Sequence, residues 1–270
     1  MRHSRSLLAL ILVLSGCRRD RDVPEERALT VFAAASLVEA FGELEAAFER
    51  QDSSLDVRLN IAGSQQLASQ LVRGAVADVF AAADREAMQF AADRGLVLAP
   101  EVFAHNRLVV IAARRPDVDG MLVDLLNLAT PGLKLVLAAP EVPAGRYARQ
   151  ALRNLSRAPG YGPDFADRVL GNVVSDEVDV RSVLTKVRLG EAHAGIVYAS
   201  DVSGPDSLRR REGIRVMRIP AAYDVRAEYV IARLRSVRDS ATADAFLRLV
   251  LSADGQAILE RFGFERSGAP

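Results

Sequence analysis

The 270-residue sequence has little of what several functional classes require: no tryptophan, one cysteine, three histidines and only 6% aromatic residues. A single cysteine cannot form a disulfide within the chain. The 35 basic and 35 acidic residues balance, and no basic stripe interleaved with aromatic residues is present. The electrostatic footprint of nucleic-acid binding is therefore missing, and we expect no nucleic-acid partner.

Sequence motifs of the common enzyme classes are also missing. The sequence contains no G-x-S-x-G nucleophile elbow, no P-loop and no H-E-x-x-H zinc motif. His3 lies near the N-terminus, and His105 and His193 precede predicted strands, where structural or surface roles are expected. Asp78 is the best acidic candidate, and we expect it to be structural. The sequence thus predicts a protein that is not an enzyme and needs no cofactor.

The N-terminal segment has the pattern of an export signal. Arg2 and Arg5 precede an apolar run at 7–14, and small residues lead to Cys17. These features are typical of a secretory signal, and the run is too short for a permanent membrane helix. Its end resembles the bacterial lipobox, with a buried free thiol as the alternative. We expect residues 1–17 to be a lipoprotein signal peptide, and Cys17 to anchor the protein to a membrane through lipid, on the periplasmic or extracytoplasmic face.

A charged, non-periodic stretch at 18–28 is typical of a solvated tether. Beyond it, strand-like and helix-like segments alternate, which favours an α/β fold with mainly parallel sheets. The apolar run 29–34 predicts a buried strand. Segment 36–51 carries an apolar stripe at helical spacing, and Ser36 with Glu39 matches a capping box, which predicts that the helix starts there.

The same patterns place the remaining elements. We predict further strands at 55–61, 78–82, 108–112, 134–138, 173–174, 194–197, 215–219 and 228–232. We predict further helices at 65–73, 85–94, 121–128, 145–155, 180–189, 241–251 and 255–262. A surface loop is expected at 158–163.

Small or hydroxyl-bearing residues stand where predicted strands give way to helices, at Ser36, Ser64 and Ala144, and Val180 stands at the start of a fourth helix. A helix start exposes backbone N–H groups without intrahelical partners and carries a partial positive charge. Several such starts, if they converge, can hold a small anion. Each position alone also fits an ordinary structural role. The serines can be helix caps, and Tyr198, at the end of another strand, can be an edge residue with its hydroxyl in water.

Taken together, the motifs resemble those of one family, the molybdate-binding proteins of ABC importers. The resemblance covers nearly all of residues 28–264. Its motifs are VFAAASL at 31–37, AGSQQLA at 62–68, GAVADVFA at 74–81, PEVPAGRYA at 140–148, DVR at 179–181, GIVYASD at 195–201 and RFGF at 261–264. This resemblance implies a two-lobed type II periplasmic-binding-protein fold. Each lobe would be a mainly parallel sheet flanked by helices, with the ligand in the interlobe cleft.

The resemblance also implies a set of ligand positions. Ser36 and Ser64 would each give a hydroxyl and a backbone N–H, Ala144 and Val180 would give backbone N–H groups, and Tyr198 would give its phenol. The only metal expected is molybdenum, as molybdate bound through these five residues. The second serine stands in Gly-Ser-Gln rather than the Ser-Ser-Ser of some relatives, which keeps the central hydroxyl.

The chemistry of the five positions fits a proton-free oxyanion. Molybdate carries no proton at neutral pH and needs only donors, whereas phosphate keeps a proton that calls for an acceptor. None of the five positions is Asp or Glu, so phosphate is disfavoured. Sulfate has the same charge and hydrogen-bonding needs, and tungstate has nearly the same size. Both remain alternatives to molybdate.

The resemblance further implies lobe boundaries and partners. Residues 28–105 and 224–270 would form lobe 1, and residues 106–223 would form lobe 2. We expect a monomer that captures molybdate with high affinity and delivers it to an ABC permease with its ATPase. The alternatives are a receptor for another oxyanion, an enzyme on the same fold, and a structural lipoprotein without a ligand.

Overall fold

A computed structural model of the protein describes residues 27–205 and 212–267. Two β-sheets flanked by helices form two lobes. Eleven strands are present in the described ranges: β1 (Arg27–Ala34), β2 (Leu55–Ala62), β3 (Val79–Ala82), β4 (Val97–Asn106), β5 (Leu108–Ala113), β6 (Leu135–Ala138), β7 (Val173–Glu177), β8 (Ala194–Tyr198), β9 (Ile214–Arg218), β10 (Ala227–Leu234) and β11 (Glu265–Arg266). The signal peptide, Cys17 and nearly all of the predicted tether lie outside the described residues.

The helices alternate with these strands. They are α1 (Val38–Glu49), α2 (Ser64–Val72), α3 (Arg85–Ala92), α4 (Pro116–Met121), α5 (Pro143–Leu155), α6 (Phe165–Leu170), α7 (Val180–Arg188), α8 (Ser240–Leu251) and α9 (Ala253–Arg261). Short 3-10 turns cover Ala35–Leu37, Leu125–Ala129 and Ala199–Val202. In the described part of the chain, no helix is long and apolar enough to cross a bilayer.

Lobe 1 is built on a six-stranded sheet in the order β11-β4-β10-β3-β1-β2. Strands β1, β2 and β3 are parallel to one another, whereas β10 runs antiparallel to both β3 and β4. Lobe 2 is built on a five-stranded sheet in the order β7-β6-β8-β5-β9, in which β5 is antiparallel to β8 and β9. The α/β prediction is confirmed, but both sheets are mixed rather than mainly parallel.

The chain crosses between the lobes twice. It leaves the first sheet at Asn106, the end of β4, and enters the second sheet at Leu108, the start of β5. It leaves the second sheet after β9 and rejoins the first at Ala227, the start of β10. The ends of β4 and β5 are thus separated by Arg107 alone.

Apolar faces of the helices close both sides of each sheet. In lobe 1, Phe41 of α1 packs edge-to-face on Phe103 of β4 and Phe246 of α8, with ring centroids 5.9 and 6.1 Å apart. The opposite face of the same sheet buries Phe32, Phe80 and residues of α2 and α3. Because both faces are covered, the central strands β1, β3 and β10 consist mostly of apolar residues.

Several elements differ from the predictions. Strand β4 was not expected, because Pro100 and a bulge at Ala99, whose φ is +45°, interrupt its pattern. The helix predicted at 121–128 is instead α4, which starts at Pro116, followed by the 3-10 turn capped by Asp124. Helix α6, the start of β1 at Arg27 and the two-residue β11 were also not predicted.

Candidate functional site

A small cavity of about 220 Å³, counting its opening to solvent, lies where the two lobes meet. All five predicted site residues line it. The complete lining is Ala34, Ala35, Ser36, Gly63, Ser64, Ala83, Val142, Pro143, Ala144, Asp179, Val180 and Tyr198. Each of the five predicted residues is at most 4% exposed. The structure therefore gathers around one cavity the helix starts and the phenol that the sequence places far apart.

Ser36 stands directly beyond strand β1, in the 3-10 turn Ala35–Leu37 that precedes α1. Its hydroxyl lies 2.8 Å from the hydroxyl of Tyr229 on β10. Helix α1 begins at Val38 without a side-chain cap, so the predicted capping box is wrong. Glu39 instead turns to lobe 2 and binds Arg181 at 2.6 Å. The Ser36 hydroxyl thus does not cap α1, and Ser36 lines the cavity.

Ser64 is the first residue of α2, and Gly63 holds the cap position. The Ser64 hydroxyl oxygen accepts a 2.9 Å hydrogen bond from the backbone N–H of Ala83, beyond the end of β3. The alternative that Ser64 caps its helix is therefore wrong. With one lone pair occupied by a backbone donor, the serine proton remains available for a group in the cavity.

Lobe 2 contributes two helix starts. Pro143 opens α5 and has no N–H, so Ala144 carries the first N–H of that helix. Val180 opens α7, and the Asp179 side chain caps the helix through the N–H of Ser182 at 2.9 Å. First-turn N–H groups have no acceptor within their own helix. Both therefore offer donors and a partial positive charge to the cavity.

Two glycines allow the close approaches around the site. A Cβ at Gly145 would lie 2.1 Å from the carbonyl oxygen of Ala139, so only glycine lets the first turn of α5 sit against the end of β6. A Cβ at Gly63 would lie 2.9 Å from the carbonyl oxygen of Val178 in the other lobe. Each glycine thus sets the distance between a helix start and the backbone opposite it.

Tyr198 ends strand β8 and is 1% exposed. The alternative of an edge residue facing water is therefore wrong. Its hydroxyl is buried and has no hydrogen-bond partner among the described residues. Burial raises the pKa of the phenol well above its ordinary value, so the group stays protonated at neutral pH. It is an unsatisfied donor at the wall of the cavity, which costs free energy unless a ligand accepts its proton.

Cationic side chains stand beside the cavity but are held by acidic residues. Arg181, next to Val180, binds Glu39 of lobe 1. Arg146, in the first turn of α5, binds Asp84 of lobe 1 and lies 3.1 Å from Glu86. These ion pairs join the lobes at the rim of the cavity. Both arginines belong to the sequence motifs, but no role was predicted for them, because a pairing across lobes has no local signal.

The buried Asp201 completes the charged surroundings. It is fully buried, its carboxylate accepts the Tyr198 N–H at 2.9 Å, and its other oxygen lies 3.7 Å from Arg181. Desolvation raises its pKa to about 6, and the nearby Arg181 opposes that shift. Asp179 is the acidic residue among those lining the cavity, and one of its oxygens serves as the α7 cap.

The other residues singled out in the sequence lie elsewhere. The Asp78 carboxylate accepts the N–H of Thr30 at 2.8 Å, a contact within lobe 1. His193 accepts the N–H of Lys134 at 3.1 Å. Over the described ranges, no cluster of His, Cys, Asp and Glu side chains is arranged to hold a metal ion.

The chain is similar to known proteins over most of its length. The family model for bacterial extracellular solute-binding proteins matches residues 29–265. The molybdate-binding protein ModA of Mycobacterium tuberculosis H37Rv is 37% identical over 242 residues, which cover 89% of this chain and 85% of that protein. ModA of Escherichia coli K12 is 32% identical over 251 residues, covering 89% of this chain and 90% of that protein.

Among solved structures, the periplasmic molybdate-binding protein of Azotobacter vinelandii superposes with a TM-score of 0.72. The match covers 87% of this chain and 98% of that one, at 20% sequence identity. At this identity the likeness speaks for the fold alone, and the two sequence relatives speak for the family.

Proposed function

The chain belongs to the family of bacterial extracellular solute-binding proteins, and from this membership we propose that it captures molybdate outside the cytoplasm and delivers it to the permease and ATPase of an ABC importer. Tungstate, of nearly equal size and the same charge, is the second ligand that we expect. In this role the protein catalyses no reaction: the anion is bound, carried and released unchanged.

One observation carries the proposal: five residues that can donate hydrogen bonds, two from lobe 1 and three from lobe 2, line the same cavity. We assign the ligand contacts to the hydroxyls and N–H groups of Ser36 and Ser64, the N–H groups of Ala144 and Val180, and the phenol of Tyr198. A proton-free tetrahedral dianion accepts from all of them. Phosphate at neutral pH would bring a proton for which this set offers no acceptor.

The energetics favour tight binding despite the cost of dehydrating a dianion. Hydrogen bonds to a charged group contribute about 1.5–3 kcal/mol each. Submicromolar affinity requires somewhat more than about 8 kcal/mol, so a handful of such bonds suffices even when desolvation offsets part of the sum. The partial positive charge of the helix starts also favours the anion. None of the five proposed contacts is a cationic side chain, so release of the anion separates no ion pair.

We propose that the lobes open and close about the two chain crossings, at Arg107 and at 219–226. The five site residues are each at most 4% exposed, so we expect opening of the lobes to ease entry of the anion. Opening would break the rim contacts of Arg181 and Arg146 with lobe 1. Closure around the ligand would restore these contacts and present one continuous surface to the permease.

We further propose that Cys17 is lipidated and that the charged residues after it tether the protein to the membrane. The support is the sequence pattern alone, a cationic start, a short apolar run and small residues before the cysteine. Mass spectrometry of protein from its native membrane tests this assignment. A mature chain whose first residue is not an acylated Cys17 contradicts it.

The test of the proposed function is calorimetric titration of the soluble part, from Arg27 on, against molybdate, tungstate, sulfate and phosphate. We expect stoichiometric, submicromolar binding of molybdate and tungstate, weak binding of sulfate and none of phosphate. Sulfate that displaces bound molybdate at comparable concentration contradicts the molybdate assignment. Recovery of the anion unchanged, without turnover, distinguishes a receptor from an enzyme on the same fold.

A further inference from the structure

A chain of buried polar side chains stands behind Ser36, outside the lining of the cavity. Asn106, the last residue of β4 at the crossing between the lobes, is fully buried. Its amide nitrogen lies 2.8 Å from the hydroxyl of Ser200 in lobe 2 and 3.3 Å from the hydroxyl of Tyr229 in lobe 1. The Tyr229 hydroxyl in turn lies 2.8 Å from that of Ser36.

The direction of hydrogen bonding along this chain is fixed at Asn106. The backbone N–H of Arg107 donates to the Asn106 side-chain oxygen at 2.9 Å, which assigns oxygen and nitrogen of the amide. The nitrogen therefore faces Ser200 and Tyr229, and an amide nitrogen can only donate. Its two hydrogens match the two hydroxyl oxygens.

The Tyr229 hydroxyl therefore accepts from Asn106 and has one proton left to give. Its shortest hydrogen bond, at 2.8 Å, is the one with the Ser36 hydroxyl. Tyr229 is fully buried, and burial raises the pKa of its phenol well above the ordinary value, so that proton is retained at neutral pH. The contact allows either hydroxyl to donate. Donation from Tyr229 to the Ser36 oxygen leaves the proton of Ser36 to point into the cavity.

We infer that Tyr229 is a positioning residue for the anion: by donating to the Ser36 oxygen, it turns the Ser36 hydroxyl into a donor toward the ligand and makes it a poorer acceptor of a hydrogen bond from the ligand. This inference rests on the proposed function. Ser64 needs no such device, because a backbone N–H already occupies its oxygen. Tyr229 has the same effect on Ser36, whose oxygen is engaged by a side chain instead of a backbone N–H.

The hydroxyl of Tyr229 can be tested apart from its ring. The ring packs edge-to-face on Phe103, Phe264 and Tyr198, with centroids 6.2, 5.2 and 5.7 Å away. Tyr229→Phe keeps these contacts and leaves Asn106 bonded to Ser200. Tyr161→Phe is the matched control, because Tyr161 packs on Phe165 at 4.8 Å and does not line the cavity.

The experiment is a double-mutant cycle measured by calorimetry with molybdate, using wild type, Tyr229→Phe, Ser36→Ala and the double variant. We expect Tyr229→Phe to weaken binding about tenfold, the size of one hydrogen bond. In the Ser36→Ala background the same change should weaken it less than twofold. The inference is overturned if Tyr229→Phe weakens binding equally in wild type and in Ser36→Ala. It is also overturned if Tyr229→Phe does not weaken binding in wild type.

A selectivity measurement separates orientation of the hydroxyl from general damage. In Tyr229→Phe the released Ser36 hydroxyl can accept, so the ratio of phosphate to molybdate affinity should rise relative to wild type and to Tyr161→Phe. A ratio unchanged from wild type overturns the inference. Failure of wild type to bind molybdate, tungstate or sulfate would instead refute the proposed function, so the two failures are distinguishable.

A crystal structure of the wild-type protein with molybdate gives a check that needs no variant. Ser36 should keep its contact with Tyr229 while its oxygen lies within hydrogen-bond distance of the anion. A Ser36 rotamer that reaches the anion only by leaving Tyr229 overturns the inference.

Discussion

Arg181, in the first turn of α7, donates a 2.6 Å hydrogen bond to Glu39 in the first turn of α1, and so joins the two lobes one residue away from Val180, which lines the cavity. The side chains are about a quarter to a third exposed. A contact between the lobes and a residue that lines the cavity are therefore neighbours in one helix turn.

Replacing Glu39 should weaken closure without touching the ligand. For Glu39→Gln we expect a two- to fivefold loss of molybdate affinity, the value of a partly exposed ion pair, seen mainly as faster release in stopped-flow measurements. The loss should shrink at high salt. Glu43→Gln, on the same helix, removes a pair with Arg261 inside lobe 1 and should leave affinity unchanged. Equal effects of the two variants would refute a role in closure.

Ser64→Ala should reduce both affinity and stability. The affinity for molybdate should fall roughly ten- to a hundredfold, because one hydrogen bond to a dianion is lost. The free energy of unfolding should fall by about 1–3 kcal/mol, because the buried N–H of Ala83 loses its acceptor. Calorimetry and urea unfolding measure the two. Ser69→Ala, further along α2 and paired with Arg73, is the control expected to change neither.

Tyr198→Phe should separate binding from stability. The unliganded protein should be as stable as wild type or more so, because a buried hydroxyl without a partner is removed. Molybdate affinity should nevertheless fall about tenfold or more. Thermal unfolding with and without molybdate shows both effects, since a weaker ligand gives a smaller upward shift of Tm. An unliganded Tm well below that of wild type would contradict the assignment of this phenol to the ligand.

Gly145→Ala should disrupt the helix start that carries the Ala144 donor. The new Cβ would lie 2.1 Å from the carbonyl oxygen of Ala139, so we expect a loss of about 1–3 kcal/mol in the free energy of unfolding together with weaker molybdate binding. Gly42→Ala is the matched control within α1, where a Cβ meets nothing within 4 Å. It should stabilise the protein by up to about 1 kcal/mol.

The buried Asp201 should make stability depend on pH in a defined direction. Its pKa in the folded protein, about 6, lies above the ordinary value of 3.8. The folded state thus binds the proton more tightly, and the contribution to stability is complete below about pH 4 and is lost as the pH rises through about 6. Between about pH 5 and pH 7.5 the loss should be on the order of 1 kcal/mol.

The variant Asp201→Asn tests this dependence, because an amide does not titrate and its oxygen can still accept the Tyr198 N–H. The stability difference between variant and wild type should move in favour of the variant between about pH 5 and pH 7.5. Burial also raises the pKa of Asp224 to about 6. Asp224 is present in both proteins, so its contribution cancels in the stability difference between them. A difference that does not vary with pH would show that Asp201 keeps an ordinary pKa.

Much of the fold follows from local pattern in the sequence. Strands such as β1, β2 and β8 and helices such as α5 and α7 lie within a residue or two of their predicted bounds, because apolar periodicity and helix starts are local signals. Strand β4 was missed because its proline and bulge break that periodicity. The antiparallel placement of β10 has no local signal, since it depends on which strands meet after the chain returns to lobe 1.

The site, too, was predicted only where local sequence patterns carry the information. The five lining residues were identified from motifs, and the structure brings them into one cavity. The function assigned to the Ser36–Glu39 pair was wrong, because a capping spacing does not reveal that Tyr229 competes for the hydroxyl and Arg181 for the carboxylate. These partners are 193 and 142 residues away in sequence, beyond the reach of any local pattern.

The first turns of α2, α5 and α7 around the cavity have an evolutionary consequence. A main-chain amide is present whatever side chain drifts onto that position, proline excepted, so point substitutions can erase the hydroxyls but leave most of the amide donors in place. A related protein with a different anion selectivity would therefore need its helices shifted against one another. Changes of selectivity during evolution should coincide with altered packing between the lobes more often than with new residues at the ligand.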